Sequence, residues 1–243
     1  METVNIIIEM EDGGVMKGEL YPEIAPISVG KLFKINWSRF FAGLIFHRVI
    51  PGFMIQGGGY DKDFNHHEAD SIKGEFRSNG VANDLLHTRG VLSMARTMVP
   101  DSASSQFFIM HADAPHLDGD YAAFGKITEG LEVVDQIANA PRNIQDCPNQ
   151  PIVIKTIKED KEMKLFILEN CPHCRNARRW IKELQDENPE YNQIEIELID
   201  EQINSELADQ YDYYYVPALF DGNTKLHEGV ASKDGLKKYL INI

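Results

Sequence analysis

Phe46-His47-Arg48-Val49-Ile50-Pro51-Gly52-Phe53-Met54-Ile55-Gln56-Gly57-Gly58 is the stretch whose reading decides the fold. It carries two short apolar runs, within Leu44–Val49 and Phe53–Ile55. Runs of the same kind recur at Gly90–Met94, Gln106–Met110 and Ala122–Ile127, separated by clusters of Gly, Asn and Asp. Towards the N-terminus, Val4, Ile6, Ile8 and Met10 alternate on one face. Val15–Leu20 follows across Asp12-Gly13-Gly14, the pattern of a β-hairpin. Pro22 and Pro26 break the chain, and Ser28 is placed to cap a helix with Val29, Leu32 and Phe33 on its apolar side. Leu131, Val134 and Ile137 or Ala138 have the spacing of a second helix. Ile152-Val153-Ile154 reads as a closing strand. Many short strands with one or two helices predict a closed barrel.

Lys155–Met163 is charged, with no apolar pattern beyond Ile157, and a domain boundary is expected there. The division is residues 1–158 and 159–243. In the second part the pattern changes. Met163–Leu168 reads as a strand and Pro172–Glu187 as a helix with Ala177, Trp180, Ile181 and Leu184 on one face. Gln193–Ile199 alternates as a strand, and Asn204–Tyr211 reads as a short helix. Ala218–Phe220 and Lys225–His227 form a hairpin across Asp221-Gly222-Asn223, and Ser232 caps a last helix to Leu240. The order is βαβαββα.

At 243 residues, with 43% hydrophobic and 26% charged residues, the composition is that of a water-soluble protein. The formal net charge of −14 falls on both parts and argues against nucleic-acid and anionic-membrane surfaces. No run approaches the length of a membrane span. Met1–Gly14 lacks a basic segment and a long apolar core, so a cytoplasmic monomer is expected. The cysteines are Cys147, Cys171 and Cys174. A C-x-x-C pair in such a chain points to redox chemistry or metal binding rather than to a structural staple.

The opening stretch closely resembles the signature of the cyclophilin family of peptidyl-prolyl cis/trans isomerases. So do Gly90-Val91-Leu92-Ser93-Met94-Ala95, Ser105-Gln106-Phe107-Phe108-Ile109, Leu117-Asp118-Gly119 and Phe124-Gly125-Lys126. The resemblance spans about residues 3–158 and implies an eight-stranded barrel capped by two helices. A prolyl bond resists rotation because its amide has partial double-bond character, so catalysis asks for an apolar slot and a fixed donor that weakens conjugation. Arg48, always charged and rigidly forked, is the expected donor. The resemblance implies a proline pocket of Phe53, Met54, Phe108 and Leu117, with Gln56 holding Arg48 and the substrate backbone. Ala95, Arg96 and Gln106 would line the groove, with His47 in a supporting part. His116, Tyr121 and Arg96 depart from the best-known eukaryotic pattern, which has an indole, a histidine and an asparagine there. They resemble bacterial members, and weaker cyclosporin binding is expected. The expected partners are proline-containing polypeptides.

Asn170-Cys171-Pro172-His173-Cys174 lies between a predicted strand and helix. That places Cys171 at a helix N-terminus, where free N–H groups and the dipole favour a thiolate, and Cys174 one turn further in, able to resolve a mixed disulfide. Val216-Pro217 precedes the hairpin. Together with βαβαββα, these features resemble the thioredoxin superfamily, closest to its short glutaredoxin-like members, in which a cis-proline faces the thiols. The resemblance implies dithiol-disulfide exchange with disulfide-containing substrates and a cellular thiol reductant, glutathione being one candidate electron donor. A zinc half-site is the competing reading. Zinc takes four ligands, and beyond the pair there is only Cys147, so no metal is expected. The whole is expected to be a folding catalyst with two activities, the alternative being a redox-regulated chaperone or polypeptide-binding module with little turnover.

Overall fold

The computed structural model describes residues 3–35, 37–188, 191 and 194–241. The chain divides into two compact units, Met1–Asp160 and Lys161–Ile243. Among the described residues no helix is long and apolar enough to cross a membrane.

The first unit is an eight-stranded antiparallel sheet. Its strands are β1 (Val4–Met10), β2 (Val15–Leu20), β3 (Leu44–Ile50), β4 (Met54–Asp61), β5 (Val91–Met94), β6 (Phe107–Met110), β7 (Ala123–Glu129) and β8 (Ile154–Glu159). They lie in the order β3-β4-β6-β5-β7-β2-β1-β8. The two outer strands meet through an Ile45–Val153 bridge and the Phe46 N–H donating to the Ile152 carbonyl at 3.0 Å, which nearly closes the barrel. Two helices, α1 (Pro26–Lys34) and α3 (Leu131–Ala138), bury Val29 and Leu32, and Val133, Val134 and Ile137, in the barrel core; the single turn α2 (Trp37–Phe40) adds Trp37.

Two expectations for this unit are corrected. Ser28 is not the cap of α1; it lies inside the helix, which begins at Pro26. The helix N-terminus is closed instead by Glu75, whose carboxylate accepts from the Ile27 and Ser28 amides at 2.8 and 2.7 Å and from the Ser28 hydroxyl at 2.7 Å. A carboxylate fetched from a distant loop does the work that a local cap usually does. The closing strand is not Ile152–Ile154 followed by a linker. It runs through Ile154–Glu159 and pairs with β1, Ile157 opposite Ile8. Its lysines lie on the face where Glu9 stands, Lys155 and Lys158 reaching it at 3.0 and 3.2 Å. The boundary expected after residue 158 thus falls inside a strand.

The alternation of β6 sorts its side chains to two faces. Phe107 and Ile109 enter the barrel core, where Phe107 meets Phe41 and Phe46 edge-on at 5.5 and 6.0 Å. Phe108 and Met110 belong to a separate apolar cluster outside it. Removing a buried phenylalanine such as Phe41 or Phe46 would cost about 3–5 kcal/mol.

The second unit is a four-stranded sheet in the order β10-β9-β11-β12. Its strands are β9 (Met163–Ile167), β10 (Ile196–Asp200), β11 (Ala218–Asp221) and β12 (Thr224–Glu228), with α4 (Pro172–Glu187), α5 (Ser205–Ala208) and α6 (Lys233–Ile241). β10 is parallel to β9; β11 is antiparallel to both β9 and β12. One face packs Leu165, Ile167 and Leu219 with Ala177, Ile181 and Leu184 of α4 and Leu236 and Leu240 of α6. The other packs Phe166, Ile199 and Phe220 with Leu207 and Tyr211. Gln193, expected at the start of the β10 strand, lies outside the described residues, and α5 is shorter than the expected Asn204–Tyr211.

Candidate active sites

In β3, Phe46 and Val49 both enter the barrel core although they are three residues apart. The ladder with β4 shifts register between Phe46 and Arg48. This irregularity leaves Arg48 exposed on the strand surface, opposite Gln56. β4 continues the logic: Ile55 enters the core, while Met54 joins the outer cluster and Gln56, two residues on, shares its face. Gln56 lies opposite Phe108 on β6, and its amide donates to Gln106 Oε1 at 3.0 Å. The Gln106 side chain lies where a Cβ on residue 59 would stand, so a larger residue than Gly59 would displace it.

The outer cluster joins Met54, Phe108, Leu117, Val91, Met110, Ala114 and Ala123, with Phe53, Ala95, Tyr121, Ile50 and Leu85 packed against it. It gathers the four expected pocket residues, Phe53, Met54, Phe108 and Leu117, together with Ala95 and Tyr121. Phe53 follows a Pro51-Gly52 turn in which Gly52 takes φ 75°, a conformation that favours glycine. Its ring stacks on exposed His116 at 5.6 Å. Tyr121 meets Phe108 edge-on at 5.9 Å. The Arg96 guanidinium lies over the Tyr121 and Phe76 rings at 4.5 and 4.9 Å and donates to the Asp120 carbonyl.

His47 precedes Arg48 on β3. It packs on Tyr60 at 4.8 Å, and its Nδ1 is buried without a hydrogen-bond partner. Burial, reinforced by the Arg48 charge next to it, lowers its imidazole to about 4, so His47 is neutral at physiological pH.

One residue the sequence reading passed over stands behind the pocket. His87 is buried and stacks on Phe108 at 6.1 Å. Its Nδ1 lies 3.0 Å from Asp118 and its Nε2 3.0 Å from the Ser93 hydroxyl. Burial holds His87 below its ordinary value against the pull of Asp118. A neutral ring that donates from Nδ1 and accepts at Nε2 satisfies both partners. Asp118 also accepts from the His87 amide at 2.7 Å. The sequence signal was Leu117-Asp118-Gly119, read for its leucine alone.

In the second unit Cys171 is the N-cap of α4, with extended backbone, and its sulfur accepts from the Cys174 amide at 3.3 Å. Burial opposes ionisation of Cys171, but hydrogen bonds from Cys174 and from the His173 amide outweigh it and lower the thiol. Cys174 is buried on the first turn, and burial pushes it up to about 12. Both thiols are free, as is Cys147. Cys171 and Val216 border the same apolar cluster that contains Cys174, and the Val216–Pro217 bond is cis. His173 is exposed. Among the described residues no group of His, Cys, Asp and Glu is arranged to hold a metal ion.

The cyclophilin type peptidyl-prolyl cis-trans isomerase family matches residues 5–159. The chain belongs to the cyclophilin family. A peptidyl-prolyl cis-trans isomerase of Acinetobacter baylyi is 46% identical over 165 residues, covering 63% of this chain and 85% of the relative. Peptidyl-prolyl cis-trans isomerase B of Bacillus subtilis is 42% identical over 130 residues, covering 54% and 87%. Among solved structures, a cyclophilin of Cryptosporidium parvum superposes with a TM-score of 0.55 at 28% identity, over 65% of this chain and 98% of that one. A second structure of that protein, determined in the presence of the dipeptide Ala-Pro, gives 0.54 at 29% identity, over 64% and 98%. The cyclophilin unit is a peptidyl-prolyl cis-trans isomerase, and the matched residues are those of the eight-stranded barrel.

Proposed function

We propose that the isomerase acts through Arg48 and the apolar cluster beside it, and that the second unit is a thioredoxin-like dithiol-disulfide oxidoreductase serving the same task, polypeptide folding. For the first activity, a proline ring enters the space bounded by Phe53, Met54, Phe108 and Leu117. The Arg48 guanidinium donates towards the prolyl nitrogen, localising its lone pair and removing part of the roughly 18–20 kcal/mol barrier that conjugation imposes. No bond to the substrate forms or breaks. Gln56, itself held by Gln106, receives the substrate backbone, and Ala95, Arg96 and Gln106 border the chain that enters. The cyclophilin solved with Ala-Pro present supports a prolyl peptide as the ligand class.

The oxidoreductase reading rests on the placement of the two thiols: Cys171 is the partly exposed N-cap of α4 with its sulfur accepting from the Cys174 amide, while Cys174 is buried on the first turn. That placement supports the following roles. The Cys171 thiolate attacks a substrate disulfide, one substrate sulfur leaves as a thiolate, and a mixed disulfide forms. Cys174 then gives up its proton and attacks the Cys171 sulfur. A Cys171–Cys174 disulfide forms, the second substrate thiol is released, and two electrons have passed to the substrate. A cellular thiol, glutathione among the candidates, would return the pair to the dithiol. The sheet order, with a parallel β9–β10 pair and an antiparallel hairpin, and the helix that starts at Cys171 support a thioredoxin-like identity. Reduction of a small disulfide substrate by the full chain tests this reading: Cys171→Ser should abolish turnover, and turnover that persists in that variant refutes it.

A further inference from the structure

We propose that His111 is a positioning residue for the isomerase, setting the place of Phe53 through the turn that precedes it. The inference rests on the reading of Phe53 as a wall of the proline pocket. His111 follows β6 at once, and three hydrogen bonds join its segment to the turn. The Gly52 amide donates to His111 Nδ1 at 2.8 Å. The His111 amide donates to the Phe53 carbonyl at 2.9 Å, and the Ala112 amide reaches the same carbonyl at 3.3 Å. Phe53 is thus gripped on both sides of its backbone by a segment that lies outside the pocket.

The ring is held in turn. Because Nδ1 accepts, the proton of the neutral imidazole sits on Nε2, and Nε2 lies 3.1 Å from Asp135 Oδ1 on α3. Asp135 is fixed by Arg89, which reaches it through both terminal nitrogens at 2.7 and 2.9 Å and donates a further bond to the His111 carbonyl at 2.9 Å. The Arg89 amide is anchored on Asp113 at 2.8 Å. Arg89 and Asp135 therefore select the tautomer, and the tautomer selects the Gly52 bond. This chain of contacts ends on the backbone of Gly52 and Phe53, so the expected effect is on the shape of the pocket and not on the rotation step.

The test is steady-state isomerisation of a proline tetrapeptide by the full chain, with KM and kcat separated. His111→Phe keeps a ring of similar size and removes the acceptor. Its KM should rise about fivefold, the value of one net hydrogen bond, with kcat close to wild type. His111→Asn places an amide oxygen near the position of Nδ1 and should recover most of the KM, although it loses Asp135. A merely structural role would lower both variants' thermal stability without this KM pattern. Phe53→Ala separates the two readings. If it leaves KM unchanged, the pocket reading fails; if it raises KM and a folded His111→Phe does not, the positioning role alone is refuted. Should His111→Phe not fold, hydrogen exchange in the wild-type chain decides: a protected Gly52 amide supports the bond, and an amide exchanging at the free-peptide rate overturns it.

Discussion

The Gln56 side-chain amide donates to Gln106 Oε1 at 3.0 Å, directly across the ladder from Arg48. Three residues from two separate runs of sequence thus converge on one patch of strand surface. Removing the amide in Gln56→Leu frees Gln106 and deletes a donor for the substrate backbone. The expected loss is that of about one net hydrogen bond, roughly a fivefold fall in kcat/KM, with little change in melting temperature. A fall shared equally by a substrate lacking backbone donors and acceptors flanking proline would argue against backbone recognition.

Two neutral histidines give the barrel unit a dependence on pH. His87 and His47 are both held below the ordinary value of 6.5, His47 at about 4, burial being the main cause in each. Between 6.5 and the folded value, the unfolded chain binds a proton that the folded chain does not. By linkage, stability is full above about 6.5 and is lost as the pH falls through that window. Trp37 fluorescence in a Trp180→Phe background should show the melting temperature dropping from pH 7 towards pH 4. His47→Asn should flatten that slope. An unchanged slope would mean that His47 does not stay neutral in the folded state.

His116 stacks on Phe53 at 5.6 Å from an exposed position. An indole there would extend the apolar contact and add an N–H donor. Titration with cyclosporin should therefore show tighter binding by His116→Trp than by the wild-type chain. Equal affinities would remove His116 as the cause of weak binding.

Cys171 should be the thiol that reacts. Its sulfur is partly exposed and accepts hydrogen bonds at the head of α4, whereas Cys174 is buried and pushed up to about 12. Alkylation of the full chain over pH, resolved by peptide mass, should show Cys171 labelled first, with a midpoint below the free-thiol value of about 8.5. Cys174→Ser should trap a mixed disulfide through Cys171. Faster labelling of Cys174, or trapping by Cys147, contradicts the assignment of roles.

Much of this was legible because the informative residues are consecutive. Alternation in Val4–Met10 and the paired runs at 46–58 and 105–110 place strands and pocket together, since neighbouring strands must present alternate residues to the two faces. The dithiol was legible for the same reason: strand, motif and helix are contiguous. The parts missed depend on partners far apart in sequence. Glu75 closes α1 from a loop without periodicity. Asn83, also buried, bridges the carbonyls of Glu75 and Ala123 at 2.9 and 2.8 Å. Most of β8 shows no apolar pattern in the sequence; its lysines find their partner in Glu9, some 146 positions away for Lys155. His111 gives no local sign at all; its meaning comes from Gly52, Asp135 and Arg89.

The mechanism depends on Arg48, an exposed residue whose strand position faces that of Gln56. The direct measurement is a protease-coupled isomerisation assay on an Ala-Xaa-Pro-Phe peptide with wild type, Arg48→Ala and Arg48→Lys, each checked for an unchanged melting temperature. Loss of a preorganised donor predicts a fall in kcat/KM on the order of 10²–10³-fold for Arg48→Ala. Arg48→Lys should recover little, because an ammonium lacks the rigid fork. Near-wild-type catalysis by a folded Arg48→Ala chain would contradict the mechanism.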